Sequence, residues 1–201
     1  KDYAALGDIF VADAFSVAHR NHATSAGIAA YLPAYAGLAM EREIDHISQA
    51  LDIPRHPVMG VVGGAKVSTK IDLLKNLVSK LDILAIGGGM ANTFLYAQGY
   101  DVGSSLCEKD LKDTALTILA NAEKANCRII LPVDVVAAAE FRANAPSRVC
   151  GLEGVKPDEM ILDAGPDTVS LILDVMEASK TLIWNGPLGA FELPPFGTST
   201  I

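Results

Sequence analysis

The stretch from Val58 to Phe94 reads VMGVVGGAKVSTKIDLLKNLVSKLDILAIGGGMANTF, and its reading decides the fold. Two short apolar runs, Val58–Val62 and Ile83–Ile86, have the length and side-chain type of buried strands, and each runs straight into glycines. Between them Ile71, Leu74, Leu77, Val78 and Leu81 recur at helical spacing, with Asp72, Lys75, Asn76 and Lys80 on the wet side. Strand, glycine loop, helix, strand, glycine loop is a βαβ crossover, the repeating unit of an α/β protein. Open sheets of this kind bind ligands at the carboxyl ends of their strands, where these glycines lie.

The first loop adds chemistry. Gly63 and Gly64 allow a ligand close to the backbone, and Lys66 and Lys70 follow. If the helix has begun by then, their spacing places both ammonium groups on one face near its positive end, a plausible phosphate site. The alternative is two solvated lysines on an ordinary helix. The loop is not GxxxxGK[ST], and Gly87-Gly88-Gly89 continues as Met-Ala-Asn rather than as G-x-G-x-x-G.

Working outward, Ile9–Val11 reads as a short strand ending at Asp13, followed by a polar loop in which Arg20 is suited to carboxylate or phosphate. Tyr31–Ala36 reads as a connector. Gly37–Leu51 is predicted as a helix with Leu38, Ile44, Ile47 and Leu51 on its apolar face, stopped by Pro54 and Pro57. Further helices are expected over Ala91–Gln98, Asp110–Ala125 and Asp167–Ala178, the last with Val169, Ile172, Leu173 and Met176 inward. Strands are expected over Arg128–Leu131, Val135–Ala139, Met160–Leu162 and Thr181–Trp184, and a loop over Asn144–Asp158. After the last strand comes a third glycine-rich loop with polar tips, Asn185 and Glu192.

Composition bounds the function. The 201 residues carry a net charge of −8, which argues against a broad nucleic-acid surface but not against an anionic ligand in a cleft. No apolar run is long enough to span a membrane, and the start, Lys1-Asp2-Tyr3, has no signal-peptide pattern. Three cysteines without C-x-x-C spacing fit reduced thiols in a cytoplasmic protein. Four histidines occur without a zinc signature, and no metal is assigned to them.

The segments GDIFVADAF with the following AHR, VVGGAKVSTKI, AIGGGMANTFL, the Leu131-Pro132-Val133-Asp134 turn, LDAGP and WNGPLGAFE occur in one order over nearly the whole chain. In that order and spacing the chain resembles the phosphoglycerate kinase family. The resemblance implies two Rossmann-like domains, each a parallel sheet with helices on both faces in three αβα layers. It implies that residues 1–36 are a remnant of the substrate domain, 37–52 the interdomain helix and 53–201 a truncated nucleotide-binding domain. The family protein is about twice this length. The chain is therefore expected to be a fragment, lacking an N-terminal R-x-D-x-N stretch and a C-terminal GGGD[ST] loop that carries the magnesium carboxylate.

The resemblance also implies roles. Arg20 matches the arginine that binds the triose substrate. Lys66 and Lys70 match the nucleotide-side lysines, the first placed to stabilise the transferring phosphoryl group, with Gly64 and Ala65 beside the nucleotide. Gly87 and Gly88 match the floor of the adenine pocket, and Leu106, Phe141 and Leu162 its apolar walls. Asn185 and Glu192 match residues near the phosphates and the ribose hydroxyls. The chain departs from the family pattern at Ala12, Thr69 and Ile161, the last crowding the adenine side. The implied reaction is reversible phosphoryl transfer between 1,3-bisphosphoglycerate and MgADP, with ADP or ATP and 3-phosphoglycerate as small-molecule partners and a full-length monomer. Domain closure about the interdomain helix would bring donor and acceptor in line. The fragment alone is expected to show negligible turnover. Two rivals are a non-catalytic nucleotide-binding module and a Rossmann oxidoreductase, the latter disfavoured by the missing G-x-G-x-x-G.

Overall fold

The computed structural model describes residues 1–201, which fall into two units, Lys1–Pro54 and Arg55–Ile201. In the first, strand β1 (Phe10–Ala12) pairs in parallel with β2 (Ala34–Ala36), and helix α1 (Leu38–Leu51) follows. Residues between the strands form 3-10 turns at Phe15–Val17 and Ile28–Ala30. The expected connector Tyr31–Ala36 thus ends in a strand. Ala-Tyr-Ala carries no hydrophobic period, and only its pairing with β1 makes it one.

The start of α1 is fixed from a distance. Gly37 at its N-cap has no side chain to offer, but Asp13, at the end of β1, accepts from the amides of Ala39 (2.7 Å) and Met40 (2.9 Å). A carboxylate there satisfies orphan amides and faces the positive helix end. Within the unit only Met40 of α1 is buried, while Leu38, Ile44 and Ile47 of the expected inward face are exposed. Periodicity marks an apolar stripe on a helix and says nothing of what covers it.

In chain order the second unit comprises β3 (Val58–Val62), α2 (Ile71–Val78), β4 (Ile83–Ile86), α3 (Gly88–Ala97), α4 (Lys112–Lys124), β5 (Arg128–Ile130), β6 (Asp134–Ala138), β7 (Ser147–Gly151), β8 (Met160–Ala164), α5 (Pro166–Ala178) and β9 (Thr181–Asn185). A four-stranded parallel sheet has the order β5-β4-β3-β9. Strand β3, flanked on both sides, is buried at every residue, as its unbroken apolar run requires.

From β3 the chain steps to β4 and β5, then returns through α5 to β9 on β3's other side. Right-handed crossovers make such a reversal place helices on opposite faces. On one face Ile172, Leu171, Val175 and Met176 of α5 pack over Met59, Val61 and Ala85. On the other, Gly60 leaves room for Leu81 and Leu84, beneath α2. The expected α/β architecture, a parallel sheet covered on both faces, is what forms.

A three-stranded antiparallel sheet, order β7-β6-β8, lies beside it over a small core of Ala138, Ala145, Leu162 and Phe196. The expected loop Asn144–Asp158 contains β7. Its alternating half-buried positions, Arg148 and Cys150, are those of an edge strand, masked in the sequence by flanking Pro146 and glycines. Arg148 secures it with a two-pronged bond to Glu159 (2.9 and 2.6 Å). In α5, Leu173 points outward rather than inward, because the buried positions Thr168 and Ile172 are four apart and Leu173 lies a further 100° round.

Candidate functional site

The loops after β3, β4 and β9 meet at the carboxyl edge of the parallel sheet, at the point where strand order reverses. Their backbones touch. Gly63 donates to the Asn185 carbonyl (3.0 Å), Gly88 to Leu188 (2.8 Å) and Met90 to Gly64 (2.9 Å). A Cβ on Gly63 would stand 1.8 Å from the Pro187 carbonyl oxygen. Gly88 has φ +64°, and a Cβ there would meet Gly64 nitrogen at 2.9 Å. Only glycine fits either position.

Lys70 closes the arrangement. Its Nζ donates to the carbonyl of Gly63 (2.7 Å) and to the side-chain and main-chain oxygens of Asn185 (2.6 and 3.2 Å). Burial pushes its ammonium below the usual lysine range. The helical pairing of Lys66 with Lys70 does not form: α2 begins at Ile71, Lys70 is its N-cap, and Lys66 is exposed in the turn before it. The turn is local, Thr69 Oγ1 donating to the Lys66 carbonyl (2.8 Å), and a hydroxyl bonding back three residues competes with helix initiation.

Beside this junction opens a cleft of about 680 Å³, with mainly apolar walls. It is the right size for a small organic ligand. Gly64, Ala65 and Gly88 lie along one side, and Leu106, Phe141, Ile161, Leu162 and Glu192 line the rest. Gly87 lies beneath Leu188 and does not reach the cleft wall. Asn185 stands at the end of β9, tied to Lys70. Arg20 belongs to the first unit, exposed in a turn held by Ser25 Oγ, which donates to its carbonyl (2.8 Å).

Several residues at the site carry no signal of their own in type or spacing, although Asp163 and Asn92 lie within the LDAGP and AIGGGMANTFL segments. Asp163 lines the cleft and accepts from the Ser199 hydroxyl and from the amides of Ala164 (2.9 Å) and Ser199 (3.3 Å). Burial nevertheless raises its carboxyl. Asn92, also in the wall, donates to the Leu106 carbonyl (3.2 Å), while its own Oδ1 is buried without a partner. Glu108 reaches back to the lysine turn, accepting from the Ser68 amide (3.0 Å) and hydroxyl (2.5 Å). Its partner is 40 residues away, beyond any local spacing rule.

No helix is long and apolar enough to cross a membrane. A phosphoglycerate kinase family model matches residues 1–201. The chain is 59% identical over 198 residues to the phosphoglycerate kinase of Xanthobacter flavus, covering 98% of this chain and 50% of that protein. It is 60% identical over 200 residues to that of Zymomonas mobilis, covering all of this chain and 50% of that protein. The structure of phosphoglycerate kinase from Coxiella burnetii superposes with a TM-score of 0.88 at 46% identity, over 98% of this chain and 51% of that one. The chain thus spans about half the length of the curated relatives it matches. With the whole of its length matched by one family, at high identity and on one fold, the chain belongs to the phosphoglycerate kinase family.

Proposed function

We propose that this chain carries the nucleotide half of a kinase that transfers a phosphoryl group reversibly between 1,3-bisphosphoglycerate and MgADP in the cytoplasm. The observation that carries the reading is the meeting of three glycine loops and Lys70 beside an apolar cleft at the strand-order reversal. The adenine ring lies in the cleft, between the Gly64–Ala65 side and Leu106, Phe141, Ile161 and Leu162. Glu192 takes the ribose hydroxyls. The phosphates run toward the Gly63–Lys70 turn.

Phosphoryl transfer demands positioning and charge neutralisation more than covalent chemistry. Exposed Lys66 meets the charge that develops on the equatorial oxygens, and Lys70 keeps the two loops in register while adding positive potential. Magnesium enters as part of the nucleotide substrate. No group of three or more His, Cys, Asp or Glu side chains is placed to hold a metal ion, and Asp163 is already engaged by Ser199 and Ala164. The residues present do not make up a magnesium site. Residues 1–36 and Arg20 are assigned to the triose side, and 37–52 to the interdomain helix.

The test is a calorimetric titration of ADP into the chain, with and without Mg²⁺, beside a Lys66→Ala variant. Binding that weakens in the variant supports the placement of the phosphates. No binding by a chain that melts cooperatively overturns it. A coupled assay on the chain alone is expected to show negligible turnover. Turnover near a normal kinase rate, roughly 1–100 per second, would show that this half suffices.

A further inference from the structure

We propose that Glu108 is a positioning residue for Lys66, holding the phosphate-side turn from the strap that also forms a wall of the cleft. The inference rests on the nucleotide reading above and adds to it a coupling between the two ends of the ligand.

The strap runs from Ser104 to Glu108 and is fastened along its length. Ser104 amide and hydroxyl donate to the Glu159 carbonyl (2.9 and 3.1 Å), and Ser105 Oγ accepts from the Ile161 amide (2.8 Å). Asn92 Nδ2 holds the Leu106 carbonyl, and the Glu108 amide donates to Thr93 Oγ1 (3.0 Å). Both side-chain anchors come from α3, whose first residues are the glycines of the β4 loop. Leu106 is thereby presented half-exposed to the cleft.

At its far end the strap grips the phosphate-side turn. Both Glu108 oxygens are committed to Ser68, one to its amide and one to its hydroxyl. Ser68 lies inside the turn that Thr69 closes onto the Lys66 carbonyl. A two-point hold on the middle of a four-residue turn fixes the direction of the residue that opens it. Partial burial acts to raise the Glu108 carboxyl, but the Ser68 hydroxyl and amide, the Val67 amide and the Lys66 charge hold it below the usual range. The carboxylate therefore stays ionised and bonded to Ser68, and its charge acts on the nearby Lys66 ammonium as well as on the turn that carries it. A base seated against Leu106 steadies the strap, the strap steadies the turn, and Lys66 is pre-set before the phosphates arrive.

The experiment titrates ADP and adenosine into the wild-type chain and into the Glu108→Gln, Glu108→Ala, Lys66→Ala and Glu108→Gln/Lys66→Ala variants. Hydrogen exchange at the Ser68–Lys70 amides is followed in parallel. Loss of a charged two-point hold is expected to weaken ADP by about tenfold, with Glu108→Gln milder than Glu108→Ala, and adenosine by less than about threefold. The Lys66→Ala effect on ADP shrinks in the Glu108→Gln background, because a misdirected lysine has less to lose. Adenosine slows exchange at the turn in the wild type and not in Glu108→Gln. Equal losses for ADP and adenosine would reduce Glu108 to a fold-stabilising residue and overturn the proposal, as would additive Lys66 and Glu108 effects. Unchanged exchange in unliganded Glu108→Gln would overturn the clasp itself, whatever the ligand result. A wild type that binds no ADP overturns the nucleotide reading and the positioning role with it, even where exchange shows the clasp intact.

Discussion

Gly63→Ala is the sharpest perturbation of the site. The added Cβ would lie 1.8 Å from the Pro187 carbonyl oxygen and 2.5 Å from its carbon, so reaching even 3.0 Å requires a retreat of about 1.2 Å. Both neighbours are backbone, and neither can rotate away as a side chain would. Opening the two loops by that amount breaks the Gly63 amide bond to Asn185 and Lys70's bridge between Gly63 and Asn185. A neutral bond is worth about 1 kcal/mol and a charge-assisted one about 1.5–3 kcal/mol, so losing one of each costs about 2.5–4 kcal/mol. In a chain of this size that is roughly a 5–16 °C fall in Tm. The assay is urea unfolding with Gly151→Ala as control, since a Cβ at Gly151 meets nothing within 4 Å. A Gly63→Ala loss below about 1 kcal/mol would refute the claim that the loop junction is closed to any side chain.

Three other outcomes follow from the geometry. Arg148 holds the Glu159 carboxyl down to about 2, so its stabilisation is full above the usual 4.5 and fades as pH falls toward about 2; Glu159→Gln should flatten stability against pH in that window, and an unchanged acid limb would count against it. Asp13→Ala should cost about 1–2 kcal/mol and speed exchange at the Ala39 and Met40 amides, whereas unaltered exchange would mean the cap is dispensable. Burial, with the Asp82 charge adding to it, pushes the Cys127 thiol up to about 11, so thiol labelling at pH 8 should spare it until denaturant is added; labelling of Cys127 in the native chain at the rate of a free thiol would contradict this.

The central βαβ unit was legible because its signals are local. Val58–Val62 and Ile83–Ile86 are strands to the residue, and Ile71 to Val78 carries an apolar stripe that needs no partner to be recognised. What escaped notice depends on distant pairing. Ala34–Ala36 is a strand only through β1, and Ser147–Gly151 only through β6. Helix α3 begins at Gly88, three residues before its expected start, because the amides of Gly88 and Met90 find acceptors on Leu188 and Gly64 across the loop junction. At the candidate site, glycines and lysines announced themselves by type, while the helical spacing expected of Lys66 and Lys70 did not form. Glu108 and Asp163 did not announce themselves, since a carboxylate declares its role only through what it touches.

Two helices of this chain borrow their first turn from elsewhere. As Asp13 serves α1, Asp134 serves α5, accepting from the amides of Asp167 (3.1 Å) and Thr168 (2.8 Å), while Gly165 at the N-cap gives it room. The capping aspartates lie 26 and 33 residues upstream of the first amides they hold. Neither helix can therefore complete its nucleus from its own segment, and the costly early turn is won only after a strand has docked. Helix formation is thereby made a consequence of sheet assembly, which ties secondary and tertiary structure into one cooperative step. It also means that a peptide cut to include α5 but not Asp134 should be a poorer helix than the same residues in the intact chain. Scission between Asp134 and Gly165 should do its damage slowly, through a cap that survives only while the two pieces remain associated.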